Sequence, residues 1–459
     1  MSDLMRILGI ARRAMDAHQA AMSVTGNNIA NVNTEGYSRQ RITLASSRPS
    51  QFGTGYVGSG VEVEKIERIR STLIDQQLMS ERPSFHQHEF KSRALQFVEE
   101  IFNEPSDFGL NRNLEEFFNS FQDLANDPES TAARTVVKQK AVTLSSTFNR
   151  IHRQLNTYQQ QLNQELQDGV NEVNRLTAEI AKLNERIVNA EVNGHQAPDL
   201  RDKRDTLVDQ VSELVDVKTF ESDSGSINVA VASRMLVADT QAEELGLAVQ
   251  SDSDPGPAVI FARDDSIAQI KDGKLKGILD IRDSNVVNYI SELDTLSATL
   301  TLEVNTVHAA GYNLDGITGI NFFDRNSSGA ADFGLSTEVM NNTNLIAASD
   351  AADEPGNNNT ALALSDLQDK LTMSDSQFTF SDFYNSLIST VGSESQEASL
   401  LESSFSLTVE KLELTRESVS GVSLNEEMTV MIESQTAFTA ASRLVTTIDD
   451  MTQSVLNMV

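Results

Sequence analysis

The sequence predicts a mainly α chain with a small β insertion, elongated and built from several domains. Three observations carry this. Apolar residues keep three-or-four spacing from position 130 to about 193, narrow apolar stripes occupy both extreme ends, and a period of two appears only after Val217. At about 1.5 Å per residue the long stretch alone would be a rod on the order of 95 Å.

In chain order, Leu4, Leu8, Ala11, Met15, His18 and Met22 lie on one narrow helical stripe. That width suits a coiled-coil seam more than a broad core face. Four asparagines between positions 27 and 33, followed by Glu35-Gly36, should stop this helix near Ile29, because such residues prefer caps and turns. An extended arm follows to Leu44. Gly53, Gly55 and Gly58 formally match G-x-G-x-x-G, but Arg48-Pro49 precedes them and the alternating strand 61–66 follows. A dinucleotide fingerprint needs a strand before and a helix after, so turn glycines are expected.

Helices are expected over 83–103 and 110–126, closed by Pro105 and Pro128. The long one, 130–193, runs through Val137, Leu144, Phe148, Ile151, Leu155, Leu162, Leu166, Val173, Ile180 and Ile187. Its other faces are Gln, Asn, Glu and Arg, so few neighbours should pack on it. Asn193-Gly194 and Pro198 end it, and 199–215 should return antiparallel. Segments 226–232, 235–237, 245–249 and 258–261 make the β insertion. Another long helix is expected over 273–308. The span 311–365, rich in Gly, Asn and Asp, reads as loop, and 366–418 as helix with Phe383, Leu387, Val391, Leu400, Phe405, Leu412 and Leu414 inward.

The C-terminal stripe comprises Leu424, Met428, Met431, Gln435, Phe438, Ser442, Val445, Ile448, Met451, Val455 and Met458. It opens on Ser423-x-x-Glu426, a capping-box pattern. Residues 1–48 carry six Lys and Arg against three Asp and Glu, and 394–459 three against eleven. Opposite signs favour mutual packing of the two ends, weakly for each exposed pair. Short isolated helices are marginal in water, so these ends are expected to be disordered in the free chain and to fold on assembly. The expected organisation is a terminal coiled-coil domain (1–58 and 416–459), a helical shaft (59–215, 274–312 and 360–415), an outer β-rich insertion (216–273) and a loop-rich segment (313–359).

The formal charge of −31 and pI near 4.5 argue against nucleic acid, whose phosphates demand basic groups. The chain has no cysteine, hence neither disulfides nor thiolate chemistry. No run reaches the roughly eighteen apolar residues of a membrane helix, and 1–21 lacks the apolar core of a secretory signal. Neither membrane insertion nor the general secretory route is expected.

Candidate chemistry is thin. The histidines, at 18, 86, 88, 152, 195 and 308, are scattered, and His86 and His88 do not share a helix face, so no metal site is expected. The segment 313–324 lacks the spacing and the terminal Glu of a calcium loop. Glu99-Glu100, Glu426-Glu427 and Asp449-Asp450 read as solvated acidic pairs. No nucleophile motif or phosphate loop survives inspection, so no cofactor and no enzyme activity is expected.

Asn28-Ile-Ala-Asn31-Val-Asn33-Thr34-Glu-Gly36-Tyr37 resembles the signature shared by axial proteins of the bacterial flagellum, the rod, hook and hook-associated proteins. Its continuation, Ser38-Arg39-Gln40, is similar to the hook-associated branch, which lies between hook and filament. The segment 60–68 is similar to an element of the family at this place, although Ser71 departs from the acidic residue often found there, and the β landmarks at 226–229 and 236–237 are similar to the hook-associated branch.

The resemblance implies paired terminal helices forming an inner tube, a homo-oligomeric ring or helical layer, and passage unfolded through the flagellum-specific export channel. It also implies three partners: hook protein, a second junction protein, and a cytoplasmic export chaperone that captures the C-terminal helix. A soluble coiled-coil binding or adhesion module is the alternative; a cell-wall hydrolase ranks third.

Overall fold

The structure, a computed structural model, describes residues 2–52, 55–106, 109–192, 196–249 and 256–457. Gly53, Asn193, Gly194, His195 and Met458, which entered the sequence reading, lie outside them.

Helix α1 (Ser2–Ala30) leads into a hairpin arm in which β1 (Gln40–Ser46) pairs antiparallel with β4 (Val61–Arg68); β2 (Ser50–Phe52) and β3 (Gly55–Val57) pair at its tip. Helices α2 (Thr72–Phe102), α3 (Leu110–Asn126), α4 (Thr131–Glu191) and α5 (Pro198–Leu214) follow. The Ser130 hydroxyl caps α4 by accepting from the Ala133 N–H at 3.2 Å. Its 61 residues make a rod about 90 Å long. Pro198 opens α5 at a position where a missing N–H costs nothing.

The start of α2 corrects the sequence reading. Pro83 was expected to begin this helix and lies inside it. A proline removes one helical hydrogen bond and tends to bend the helix. Here Pro83 is buried, its carbonyl accepts the Gly273 N–H at 3.1 Å, and Arg82 beside it is ion-paired to Asp209 and Glu413. Tertiary contacts on both sides hold the turn in place.

The β insertion is two small antiparallel sheets. One is ordered β5 (Val217–Glu221), β6 (Ile227–Val231), β7 (Arg234–Ala238), β8 (Gln241–Ala242); the other runs β9 (Leu245–Ala248), β10 (Ala258–Phe261), β11 (Ser266–Ile267), with β10 central. Two asparagines of α4 bolt them to the shaft. Asn184, fully buried, donates to the Ile227 and Asp239 carbonyls and accepts the Ile227 N–H, while Asn174 donates to the Leu245 carbonyl and accepts its N–H.

Helix α6 (Lys274–Asp280) continues through a π turn, Ile281–Asn285, into α7 (Val286–Ala310). The segment to residue 358 has one short α-helix, α8 (Thr337–Asn341), and a 3-10 turn, Thr343–Leu345, and is otherwise loop, yet it is core. Phe322, Phe323 and Phe333 are buried against Phe117, Phe121 and Phe148. Asn305 holds this segment by accepting the Phe322 and Phe323 N–H groups and donating to the Phe323 carbonyl.

The helix expected over 366–418 begins only at Phe380, as α10 (Phe380–Ser420), and a short helix, α9 (Asn359–Asp366), forms at the end of the span read as loop. Between them Ser374, Asp375 and Ser376 take positive φ, and Met373 and Phe378 bridge across the turn. Short polar side chains tolerate that backbone. Leu400 and Leu414, expected inward, are 65 % exposed; the buried line of α10 passes through Leu387, Val391, Ala398 and Val409. Helix α10 packs antiparallel on α2, with Arg82 meeting Glu413 and Phe102 meeting Tyr384. The last helix, α11 (Leu424–Leu456), turns back along α1.

Candidate assembly junction

The joint between terminal helices and shaft is built from the asparagine-rich loop after α1. Asn31 turns back on the helix, its amide donating to the Asn27 carbonyl at 3.0 Å and to the Asn27 side chain at 2.9 Å. The Thr34 N–H then reaches the Asn31 carbonyl and the Tyr37 N–H the Thr34 carbonyl, closing successive turns. Gly36 has φ +75°, and a Cβ there would stand 2.3 Å from Thr206 Oγ1 of α5. Both the backbone and the close approach require glycine. Asn33 is exposed.

Asn28, 1 % exposed, is fully employed. Its Oδ1 accepts the Tyr37 hydroxyl at 2.8 Å and the Gln40 N–H at 2.9 Å, while its Nδ2 donates to the Gln40 carbonyl and to Glu427 Oε2, each at 2.9 Å. Ser38 donates its N–H to Asp202, and the Gln40 side chain donates to Asp199. Arg39 forks to Glu426 at 2.6 Å and Glu427 at 2.7 Å; its N–H meets the Ser420 carbonyl and its carbonyl accepts the Ile69 N–H. Glu426 is thereby drawn away from Ser423, which makes no side-chain cap, so the expected capping box is replaced by a tertiary ion pair.

Helix α5 carries the shaft side of the joint. Asp202, Asp205 and Asp209 lie along one face and meet arginines from three elements. Arg68 binds Asp202 and Asp205 at 2.7 Å each, Arg70 binds Asp205 and Asp75, and Asp209 takes Arg82 at 2.9 Å and Arg416 at 2.8 Å. Burial pushes the Asp202 carboxyl up despite Arg68, whereas for Asp205 the attraction of Arg68 and Arg70 outweighs burial and holds it below the ordinary range. Burial, with Asp199, Asp202 and Glu427 nearby, raises the Tyr37 phenol, which stays a neutral donor. A cleft of about 510 Å³ between the loop, α5 and α10 is lined by Gly36, Arg70, Arg82, Asp209 and Arg416.

Contact at Asn28 and Glu427, with α11 starting where α1 ends, makes the terminal helices antiparallel. The structure brings together part of the expected seam. Ala11 and Ile448 are buried; Leu4, Leu8, Met15, Met22, Met431, Phe438 and Val445 are half-buried. Leu424, Met428, Met451 and Val455 are not in the pair, being 46 %, 56 %, 54 % and 43 % exposed. The buried line of α11 is Glu427, Ser434, Ala441 and Ile448, at strict seven-residue spacing, facing Ala11, Ala17, Ala21, Val24 and Thr25. Small side chains permit close approach, so they, and not the large apolar residues, occupy the centre. Sequence reasoning missed Glu427 and the α5 aspartates. The aspartates had a signal, their spacing of three and four on one helix face.

Elsewhere, His86 pairs with Glu89 at 2.8 Å and His88 stacks on Phe405. Asn313 accepts the Asp315 and Ile317 N–H groups in a structured turn. Among the described residues no group of three His, Asp or Glu could hold a metal ion.

Both ends of the chain match models of flagellar axial proteins: residues 8–37 match the flagella basal body rod protein family, and 416–458 match the flagellar basal body rod FlgEFG protein C-terminal region. A mainly helical chain whose paired ends are strapped to a shaft by this loop is a structural protein of the flagellar axis. Residues 95–323 match the flagellar hook-associated protein FlgK helical domain. Flagellar hook-associated protein 1 of Bacillus subtilis is 32 % identical over 98 % of this chain and 97 % of its own length. The Salmonella typhimurium protein of that name is 28 % identical over 69 % of this chain and 59 % of its own. The chain belongs to the flagellar hook-associated protein 1 family. The flagellar hook junction protein FlgK of Burkholderia pseudomallei shares the fold, with a TM-score of 0.67 at 15 % identity, over 75 % of this chain and all of that one.

Proposed function

We propose that the chain is a self-assembling block of the hook–filament junction, adapting hook to filament so that the filament can grow. The antiparallel terminal pair carries this reading. Its inner seam is narrow, and it leaves Leu424, Met428 and Ile432 open on one flank and Leu444 and Met451 on the other. A pair with apolar surface on both flanks is complete only inside a bundle of neighbours. Copies stacking through these helices form the inner tube, the shaft forms the next shell, and the β module lies outside it.

The layer's neighbours are hook protein on one side and a second junction protein on the other. A cytoplasmic export chaperone holds the C-terminal helix through Met428, Met431, Phe438 and Val445 before the chain leaves by the flagellar export channel. The protein acts by geometry and not by catalysis. No helix among the described residues is long and apolar enough to cross a membrane.

Electron microscopy of cells lacking the chain tests the reading. Hooks without filaments, with filament subunit lost to the medium, are expected; filaments on normal hooks would overturn it.

A further inference from the structure

The seam between α1 and α11 poses a problem of alignment. Ala11, Ala17 and Ala21 on one side and Ser434 and Ala441 on the other are all small. Such side chains let helices approach closely, yet one alanine resembles the next, so sliding α11 by one heptad buries nearly the same surface. A seam of this kind specifies contact better than register, and helix pairs commonly solve that with a buried polar group.

One buried charge breaks the pattern. The heptad line of α11 begins at Glu427, 2 % exposed, and both its carboxylate oxygens are engaged from the N-terminal side, Oε2 by Asn28 and Oε1 by Arg39. Asn28 has no spare capacity, since its other three bonds go to Tyr37 and Gln40. A slide of one heptad would strand a buried carboxylate and leave a buried amide donor unpaired. Arg39 extends the contact to the shaft through the Ser420 carbonyl and the Ile69 N–H.

We propose that the Asn28–Glu427–Arg39 contact is the register lock of the terminal helix pair, setting α11 on α1 in one axial alignment referenced to the shaft. These are positioning residues: the small-residue seam supplies contact and the lock supplies alignment. The inference rests on the assembly reading above, because alignment matters where every copy must present the same outer flanks to its neighbours.

The chain has no cysteine, so reporter pairs can be introduced cleanly. Counting one heptad from the Asn28–Glu427 contact sets Ala21 opposite Ser434, and a slide by one heptad sets Ala21 opposite Ala441. Chains carrying Ala21→Cys with Ser434→Cys, or Ala21→Cys with Ala441→Cys, are oxidised as assembled on hooks, and intrachain disulfide is measured after dissociation. With the lock intact the first pair should exceed the second by about tenfold; Glu427→Leu should bring the two within about threefold, and Glu427→Gln, which keeps an acceptor for Asn28, should retain most of the preference.

Undiminished preference in Glu427→Leu overturns the lock. Should that variant not assemble, Asn28→Leu with Glu427→Leu removes both buried polar groups together, and the same loss of preference, or its absence, decides. If the unaltered lock yields neither disulfide, the antiparallel pairing and the assembly reading fail together, a result distinct from one that overturns the lock alone.

Discussion

Gly36 and His308 show how single residues are held to one identity. Alanine at 36 would need a left-handed backbone and would collide with the Thr206 hydroxyl, so Gly36→Ala is expected to cost about 2–3 kcal/mol. Thermal melting measures it, and Thr206→Ala in the same chain should recover only the steric share. His308 is fully buried, with Nδ1 against the Ile320 carbonyl and Nε2 accepting the Ala347 N–H at 2.9 Å. That arrangement requires the neutral ring, and burial lowers its pKa from 6.5 to about 4. Between those values the unfolded chain binds a proton that the folded chain refuses, so stability present at neutral pH is lost as pH falls through this window. From pH 7 to 5 the loss through this group should be about 2 kcal/mol. His308→Gln should flatten that difference between melts at the two pH values; an unchanged slope would assign it elsewhere. The signature residues were legible as a motif, but nothing in the motif says that Asn28 would reach Glu427, almost 400 positions away.

At the scale of elements, the terminal seam and the β docking are the informative cases. Met431 and Phe438 are half-buried beside the small-residue line, so Met431→Asp or Phe438→Asp places a charge in a thin contact, at a cost on the order of 3 kcal/mol. Such variants should fail to assemble, by electron microscopy, while shaft melting is unchanged; normal assembly would remove these residues from the seam. Asn184→Ala leaves the Ile227 N–H and two carbonyls unpaired and should open the first sheet locally, raising amide hydrogen exchange over Ile227–Val231 before the shaft melts. Spacing alone located α3, α4 and α5 closely because one apolar face dominates each. It misplaced the centre of the α11 seam because hydrophobic size was taken as the guide, whereas close helix contact selects Ser and Ala. It also ran through the turn before α10, where three left-handed residues break the helix without Pro or Gly.

For the whole molecule, the division is between a shaft with one continuous core and ends that meet it through polar contacts. The core runs from Phe90 to Ala398 along α4, while α1 and α11 join it through the Asn28, Arg39 and α5 aspartate contacts. Limited proteolysis of the free chain should remove about 45 residues from each end and leave a resistant shaft; ends that resist would favour a preformed coiled-coil oligomer. The sequence by itself determined the mainly helical class, the long rod, the β insertion and the family, because periodicity and an ungapped signature are local properties of the chain. Only the tertiary structure decided that the loop-rich segment is core, that asparagines bolt loops and sheets to the helices, and that Glu427 is buried against Asn28. Those outcomes depend on which distant groups meet, and hydrogen bonds between remote segments leave no period in the sequence.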